Sequence, residues 1–466
     1  MKNFKPYNPD QPFLLPPALR DWLPEGHLAL FISDVVEAMD LSAILATYKE
    51  GDGRGQPAYH PSMMVKLLLY AYCTGTASSR RIERKTYEDV AYRVLTANQH
   101  PDHDSIADFR KRHLQALAEL FSQVLQLCQA AGLVKLGHVA LDGTKIKANA
   151  SKHKAMSYER MTETEKRLQQ EVAELLEKAQ QTDASEDKQY GKDRHGDKLP
   201  EELARRESRL RKIQEAKLAL EQAAKARAAE KAEAARAKIE ERERREQETG
   251  QKAKGRAPQV PDVEKAVPEP KAQRNFTDPE SRIMKDGATK SFEQAYNAQA
   301  AVDSTAQIIV AAAITQEPND KLQLVPMLEQ VAENLGQMPP QASADAGYFS
   351  AANVTDQRLA GVDLYVPPDR QKHEPDDAEE TDNASVEPDD SVLEAMRQKV
   401  KAPEGRVIYS RRKAVVEPVF GQIKEVRGFR RFSFRGKVKV AAEWQLICLT
   451  HNLLKLFRAK ACPQPA

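Results

Sequence analysis

Apolar residues recur at helical spacing through the first part of the chain. Over 28–45 they fall three or four positions apart, and Pro61 precedes a long apolar run, where proline favours a helix start. Polar tracts at 76–79 and 104–105 supply turns and N-caps for further helices. We therefore predict an N-terminal helical domain over 1–135, in which short helices joined by polar turns are compatible with DNA binding.

A group of cations follows the turn at 76–79. On a helix they would share an exposed face and could contact DNA phosphates, although periodicity alone favours an ordinary solvated surface. These candidate DNA-binding residues are Arg80, Arg81, Arg84 and Lys85.

A short β-prone segment surrounds one acid, Asp142. Apolar and β-branched residues flank it within 136–155, which predicts a strand. Taken alone, the pair Asp142 and Gly143 favours a hairpin turn, because Asp-Gly is a strong turn dipeptide.

The composition then shifts to Glu, Lys, Arg, Gln and Ala. Two amphipathic stretches separated by a polar tract predict a helical hairpin or coiled coil over 156–248. The proline-bearing residues 249–274 are predicted to be a linker.

A second α/β signature covers 275–370. Runs at 294–302 and 307–315 predict a β-hairpin, 322–335 a helix, and 363–366 a further strand. Asp345 follows a short strand of small residues.

The C-terminal part reverses its charge along the chain. Residues 374–390 contain nine acids and no base, so 371–400 is predicted to be an acidic flexible loop. From Lys401 to Ala466, fifteen Lys and Arg face four Glu, a local net charge of +11. We assign this basic helical part, 401–466, to the core; it places Glu417 between Val416 and Pro418.

Composition excludes several classes of protein. The chain has 466 residues, 41% hydrophobic and 30% charged, which indicates more than one folded unit, and its net charge of +2 makes any basic surface local. Four cysteines without a CxxC pair encode neither a disulfide framework nor a zinc ribbon. We find no signal-peptide pattern and no apolar run of about 20 residues, and expect a cytoplasmic protein.

Three acids stand beside apolar residues: Asp142, Asp345 and Glu417. A carboxylate in such surroundings is costly to desolvate unless it is paired or holds a cation. Oxygen ligands without His or Cys favour Mg²⁺ or Mn²⁺, and a carboxylate cluster with two such ions is suited to phosphodiester chemistry.

The same residues carry a resemblance to a known family. The runs LDGTKIKANASKHK, SADAGYFS and YSRRKAVVEPVFGQIK resemble the three acidic motifs of bacterial insertion-sequence DDE transposases. The run HPSMMVKLLLYAYCTGTASSRRIE is similar to their N-terminal transposase domain.

The resemblance implies an α/β fold, with an RNase H-like mixed sheet, flanking helices, an N-terminal all-α domain and an inserted helical hairpin. Asp142 is expected on the first strand, Asp345 after the fourth and Glu417 on a helix beyond the fifth. They would be the catalytic residues and the ligands of two Mg²⁺ or Mn²⁺ ions, with no small-molecule cofactor.

Many relatives show a Tyr, Arg, Glu, Lys signature at the last acid, which Tyr409, Arg412, Glu417 and Lys424 match in order. The gap between Arg412 and Glu417 is one residue longer than in the family, and Lys413 holds the i, i+4 position instead. Tyr409, Arg412, Lys413 and Lys424 are therefore candidate DNA-contacting residues.

The implied function is DNA transposition. The protein would bind the terminal inverted repeats of its insertion sequence, hydrolyse a phosphodiester and join the freed 3′-hydroxyl to target DNA. Double-stranded DNA is the expected partner, with a homodimer on the DNA, nucleoid association and no membrane. The alternatives are a catalytically silent DNA-binding protein derived from a transposase and a structural coiled-coil protein.

Overall fold

The computed structural model describes residues 18–48, 57–190, 201–249, 258–286, 290–369 and 388–461. These residues form two compact units. The first combines the described residues of 1–147 and 296–466, and the second comprises those of 148–295.

Fourteen α-helices occur in the described residues. In chain order they are α1 Leu28–Glu37, α2 Ser42–Leu45, α3 Pro61–Cys73, α4 Ser79–Glu88, α5 Val90–Leu95, α6 His103–Arg112, α7 Leu114–Ala130, α8 Tyr158–Tyr190, α9 Glu201–Thr249, α10 Leu324–Leu335, α11 Ala351–Val354, α12 Pro388–Lys401, α13 Pro403–Gly421 and α14 Lys437–Ala461.

The same part of the chain contains eight strands. They are β1 Val139–Lys147, β2 Ala155–Ser157, β3 Gln273–Asn275, β4 Arg282–Lys285, β5 Phe292–Asp303, β6 Ile308–Thr315, β7 Gln341–Ser343 and β8 Asp363–Tyr365.

The sheet of the first unit runs in the order β6, β5, β1, β7, β8. Strands β5 and β6 form the predicted antiparallel hairpin, whereas β7 pairs in parallel with both β1 and β8. The predicted RNase H-like α/β fold is confirmed. Asp142 and Gly143 lie inside β1, so the hairpin turn that their sequence favours in isolation is not formed.

The predicted N-terminal helices are present. Helix α3 begins at Pro61, as the sequence predicts, and the His60 side chain accepts a hydrogen bond from Ser62 N. Helix α6 is capped by Asp102, which accepts from Ser105 N, so its cap lies before the tract 104–105 that the sequence indicated.

These helices belong to the same compact unit as the sheet. Helix α14 packs on both α7 and β6. The predicted domain boundary at 135 therefore does not separate two compact units. Trp444 of α14 is fully buried and donates from Nε1 to the carbonyl oxygen of Gln299.

The second unit contains the inserted hairpin. Met161 and Leu168 of α8 pack with Ile213 and Ala216 of α9. Two ion pairs extend this contact, Lys217 with Glu165 at 2.8 Å and Arg206 with Glu171 at 3.0 Å, and their order along the chain shows that the two helices are antiparallel. The unit also holds β2, β3 and β4, so it extends beyond the predicted hairpin limits 156–248. Of the predicted linker 249–274, residues 250–257 lie outside the described residues.

The prediction of an acidic loop over 371–400 requires a correction. Residues 370–387 lie outside the described residues, but Pro388–Lys401 forms α12. Met396 and Val400 are buried on this helix. Apolar residues at i and i+4 therefore override the acidic composition at this end of the segment.

Candidate active site

Asp142 occupies the middle of β1 and is paired with an arginine from α13. Its Oδ2 accepts a hydrogen bond from Arg412 Nη1 at 3.1 Å, and its Oδ1 accepts one from Gly143 N at 2.8 Å. The side chains of Asp142 and Arg412 are 19% and 8% exposed. The pair is therefore largely withdrawn from water, where charge-assisted hydrogen bonds are strong.

The pKa of Asp142 is raised to about 6. Burial is the main cause, and the negative charges of Asp345 and Asp320 act in the same direction, while Arg412 opposes them. The surroundings of Asp142 therefore disfavour its charged form, although an arginine contacts it directly.

Asp345 is brought opposite Asp142 by the strand register. Ala140 of β1 pairs with Ser343 of the parallel strand β7. Asp142 lies two residues beyond Ala140 and Asp345 two residues beyond Ser343, so the parallel register directs Asp345 toward Asp142, and its negative charge contributes to the raised pKa of Asp142. Asp345 Oδ1 accepts from Gly347 N at 2.9 Å and caps a short 3₁₀ turn.

A cavity of about 390 Å³ opens beside Asp345. Its wall includes Asp320, Asp345 and Gly347 from loops at the sheet edge, and Tyr409 and Lys413 from α13. Two of the candidate DNA-contacting residues, Tyr409 and Lys413, therefore share a cavity with a predicted catalytic acid.

Asp320 is a site residue that the sequence reasoning missed. Its Oδ1 accepts hydrogen bonds from Asn297 Nδ2 and Gln299 Nε2, both at 2.6 Å. Lys145 Nζ lies 3.9 Å from the same oxygen. A signal in the sequence is the pair of amides two positions apart in β5, flanked by alanines, because alternate residues of a strand share one face.

Glu417 is exposed and makes no hydrogen bond or ion pair with another described residue. The rotation of α13 is set by burial of Val415, Val416, Val419 and Phe420. Glu417 is five positions after Arg412, about 140° around a helix, so Glu417 does not share the direction in which Arg412 meets Asp142.

Pro418 follows Glu417 inside the helix. Since proline has no backbone N–H, the carbonyl of Ala414 loses its usual helical partner. It accepts instead from Gln307 Nε2 at 2.9 Å. The proline is thus accommodated without an unpaired carbonyl at Ala414.

Lys424 lies on a π-helical turn, Gln422–Val426, that continues α13. Its Nζ donates to Thr144 Oγ1 at 2.7 Å. Thr144 and Asp142 are two residues apart on β1 and so face the same side. Arg412 and Lys424 thereby contact one face of the strand that carries Asp142.

The cations of α4 form a separate basic surface. Arg80, Arg81 and Arg84 are exposed, and Lys85 is half-buried over the Tyr92 ring. Arg84 and Lys85 form ion pairs along the helix with Glu88 and Asp89. A phosphate would have to compete with these two pairs, whereas Arg80 and Arg81 form no ion pair with another described residue.

The donors of the site have the chemistry that a hard divalent cation requires. Carboxylate oxygens come from Asp142 inside β1, Asp320 after β6 and Asp345 after β7, and hard oxygen donors favour Mg²⁺ or Mn²⁺. Among the described residues, no three acidic, His or Cys side chains are grouped closely enough to hold a metal ion. The fit therefore rests on the donor chemistry.

Two family models match the chain. One, described as a transposase domain (DUF772), matches residues 17–112, and the other, a transposase DDE domain, matches residues 374–457. Neither the curated proteins nor the solved structures gave a significant match.

The two matches lie on either side of the segments that carry Asp142 and Asp345. Together with the RNase H-like sheet they confirm the resemblance to insertion-sequence DDE transposases and support a DNA transposase. They do not favour the catalytically silent alternative. The sheet is incompatible with a purely structural coiled coil. No helix in the described part of the chain has the length and apolar character needed to span a bilayer.

Proposed function

We propose that this transposase binds the terminal inverted repeats of its insertion sequence, hydrolyses a phosphodiester at each end and joins the freed 3′-hydroxyl to target DNA. The observation that supports the proposal is that Asp142 lies inside β1 and Asp345 directly after its parallel neighbour β7, with the charge of Asp345 acting on Asp142. Two neighbouring carboxylates beside cationic side chains of one helix suit a site where a phosphate backbone must approach.

Asp142, Asp345 and Glu417 are the residues proposed to hold two Mg²⁺ or Mn²⁺ ions. When bound, such ions activate the attacking oxygen and stabilise the charge that develops on the scissile phosphate. Arg412 fixes the Asp142 carboxylate, and Lys424 and Lys413 supply positive charge toward the phosphates. Tyr409 lines the same cavity and contributes to positioning the DNA.

DNA recognition is assigned to the N-terminal helices and the basic surfaces. Arg80, Arg81, Arg84 and Lys85 on α4 would neutralise phosphates of the element end. Because transposition joins two ends, two active sites must be held together, and we propose a homodimer on DNA.

Cleavage of a labelled DNA end of the insertion sequence in Mg²⁺ tests the catalytic assignment. The native chain is expected to nick the DNA, while Asp142→Asn, Asp345→Asn and Glu417→Gln each lose at least about 100-fold in rate, about 2.7 kcal/mol. Glu404→Gln is the matched control for Glu417, since it removes the same charge from an exposed position of the same helix.

The outcomes separate the roles. Equal rates for Glu417→Gln and Glu404→Gln would remove Glu417 from the catalytic set while leaving the two aspartates. Equal rates for native chain and Asp345→Asn would reject the proposed mechanism. Light scattering of the protein–DNA complex tests the dimer, which a mass of one chain per DNA end pair would contradict.

A further inference from the structure

The polar cluster around Asp320 is unused by the mechanism above. It combines Asp320 from the segment after β6, Asn297 and Gln299 from β5, and Lys145 from β1. We infer that Asp320 is an additional cation-binding residue of the site, and that its Oδ2 faces the same ion as Asp345. This inference rests on the proposed function.

The two oxygens of Asp320 have different surroundings. Oδ1 receives both amide donors at 2.6 Å and faces Lys145 at 3.9 Å. Oδ2 has no hydrogen-bond donor among the described residues and lies 3.6 Å from where a Cβ on Gly347 would stand. The amides therefore fix the carboxylate through one oxygen and leave the other directed toward the Asp345 turn.

Asp320 and Asp345 share one space. Both line the 390 Å³ cavity, and the same Gly347 position that lies near Asp320 Oδ2 is 3.0 Å from Asp345 Oδ1. Because Gly347 has no Cβ, no side chain occupies the point that both carboxylates border.

Asn297 supplies an independent indication of a ligand. Its side chain is fully buried, and its Oδ1 has no hydrogen-bond partner in the described part of the chain. A Cβ on Gly143 would lie 2.9 Å from that oxygen and 2.6 Å from Asp320 Oδ1, so both oxygens border the same point. A buried amide oxygen is costly unless a donor or cation meets it, and oxygen is the atom that Mg²⁺ and Mn²⁺ prefer.

The substitution Asp320→Asn separates a structural role from a cation-binding role. Asparagine retains an oxygen that can accept from Asn297 and Gln299, but it replaces the anionic Oδ2 with an amide. Structural support through Oδ1 is thus kept while the proposed ligand is lost.

The test uses the full-length, metal-free chain titrated with Mn²⁺, with free Mn²⁺ followed by electron paramagnetic resonance. We expect Asp320→Asn to weaken Mn²⁺ binding at least about tenfold, and its thermal midpoint in EDTA to stay near that of the native chain. Asp356→Asn is the control, because Asp356 is a half-buried acid that does not line the cavity, caps a short turn and pairs with Arg358. It should leave Mn²⁺ affinity unchanged.

An unchanged affinity in Asp320→Asn, with loss of binding in Asp345→Asn, would overturn this inference and leave the proposed function standing. A native chain that neither binds Mn²⁺ nor cleaves DNA would overturn both. If Asp320→Asn unfolds, Lys145→Met decides: removing the ammonium that competes for Asp320 should tighten Mn²⁺ binding severalfold, and an unchanged or weaker affinity would reject the inference.

Discussion

Arg412 Nη1 donates to Asp142 Oδ2 at 3.1 Å, which joins two residues 270 positions apart in the chain. The guanidinium is almost fully buried. Lys413, the neighbouring residue that helical spacing relative to Glu417 favoured, is exposed and lines the cavity beside Asp345 instead. The partner of Asp142 is therefore the arginine of the family signature, despite the longer gap.

Replacing Arg412 with glutamine should destabilise the fold in a pH-dependent way. Breaking a buried ion pair leaves a buried carboxylate without its counter-charge, which costs about 3–5 kcal/mol. Since the pKa of Asp142 is raised to about 6, the full loss is expected at pH 7.5, and a smaller one near pH 5, where Asp142 is largely protonated. Urea unfolding at the two pH values measures it.

The control is Arg411→Gln, which removes the same charge from the adjacent, exposed position. It should change the free energy of unfolding by less than about 0.5 kcal/mol. A loss in Arg412→Gln that is equal at both pH values would contradict the pairing with a titrating Asp142.

The stability of the metal-free protein should fall as Asp142 becomes charged. The pKa of Asp142 is about 6 in the folded state, above its ordinary value of 3.8, because of burial. Such a group contributes stability that is fully present below about pH 4 and is lost as the pH rises through 6. Above that pH the charged native residue disfavours folding by roughly 3 kcal/mol at about 1.4 kcal/mol per pKa unit.

Thermal or urea unfolding in EDTA should therefore show the native chain losing stability relative to Asp142→Asn as the pH rises from 4 to 7.5, because the asparagine does not titrate. A native chain that gains stability relative to the variant over this range would mean that Arg412 outweighs burial. That result would reverse the direction assigned to the Asp142 pKa.

Gly143→Ala should disturb the polar cluster. An added Cβ would lie 2.4 Å from Gln299 Nε2 and 2.6 Å from Asp320 Oδ1, closer than real contacts allow. Because these side-chain ends are held by hydrogen bonds, we expect a loss of about 1–3 kcal/mol in stability and reduced DNA cleavage. Urea unfolding and the cleavage assay measure these effects.

Gly137→Ala provides the comparison, since nothing lies within 4 Å of the Cβ that it would add. Its stability should match that of the native chain. If both alanine variants behaved alike, the close approach of Asp320 and Gln299 to β1 would be wrong.

Leu168→Ala should loosen the helical hairpin. Leu168 is 3% exposed within the cluster formed by α8 and α9, so truncation costs about 2–4 kcal/mol of local stability. Leu176→Ala, at a position 40% exposed, should cost far less. Limited proteolysis should cut the hairpin faster only in the first variant; equal rates would argue against the packed interface.

The sequence predicts the positions of the two aspartates but not the whole site. Asp142 lies inside one recognisable β pattern and Asp345 directly after another, and parallel pairing of β1 with β7 makes these two segments neighbours. Asp320 has no such local pattern, because the groups that hold it, Asn297 and Gln299, come from a strand twenty residues earlier in the chain. Only the folded sheet places them side by side.

The orientation of Glu417 also depends on tertiary packing. The sequence placed it on a helix, which is correct, but the direction of its side chain follows from which valines α13 buries. In α12, Met396 and Val400 are spaced four residues apart, which indicates a helix, but the acidic composition of the segment led to the prediction of a loop.

Glu443 of α14 shows how the N-terminal helices are joined to the rest of their unit. Its carboxylate accepts from Ser433 N and Phe434 N and faces the Tyr72 hydroxyl of α3, to which Arg110 of α6 donates in turn. No tether therefore separates α4 from the strand that bears Asp142. A DNA duplex bound by α4 would therefore lie at a fixed distance from that strand. This distance would determine how many base pairs separate the sequence that the protein recognises from the bond that it cuts.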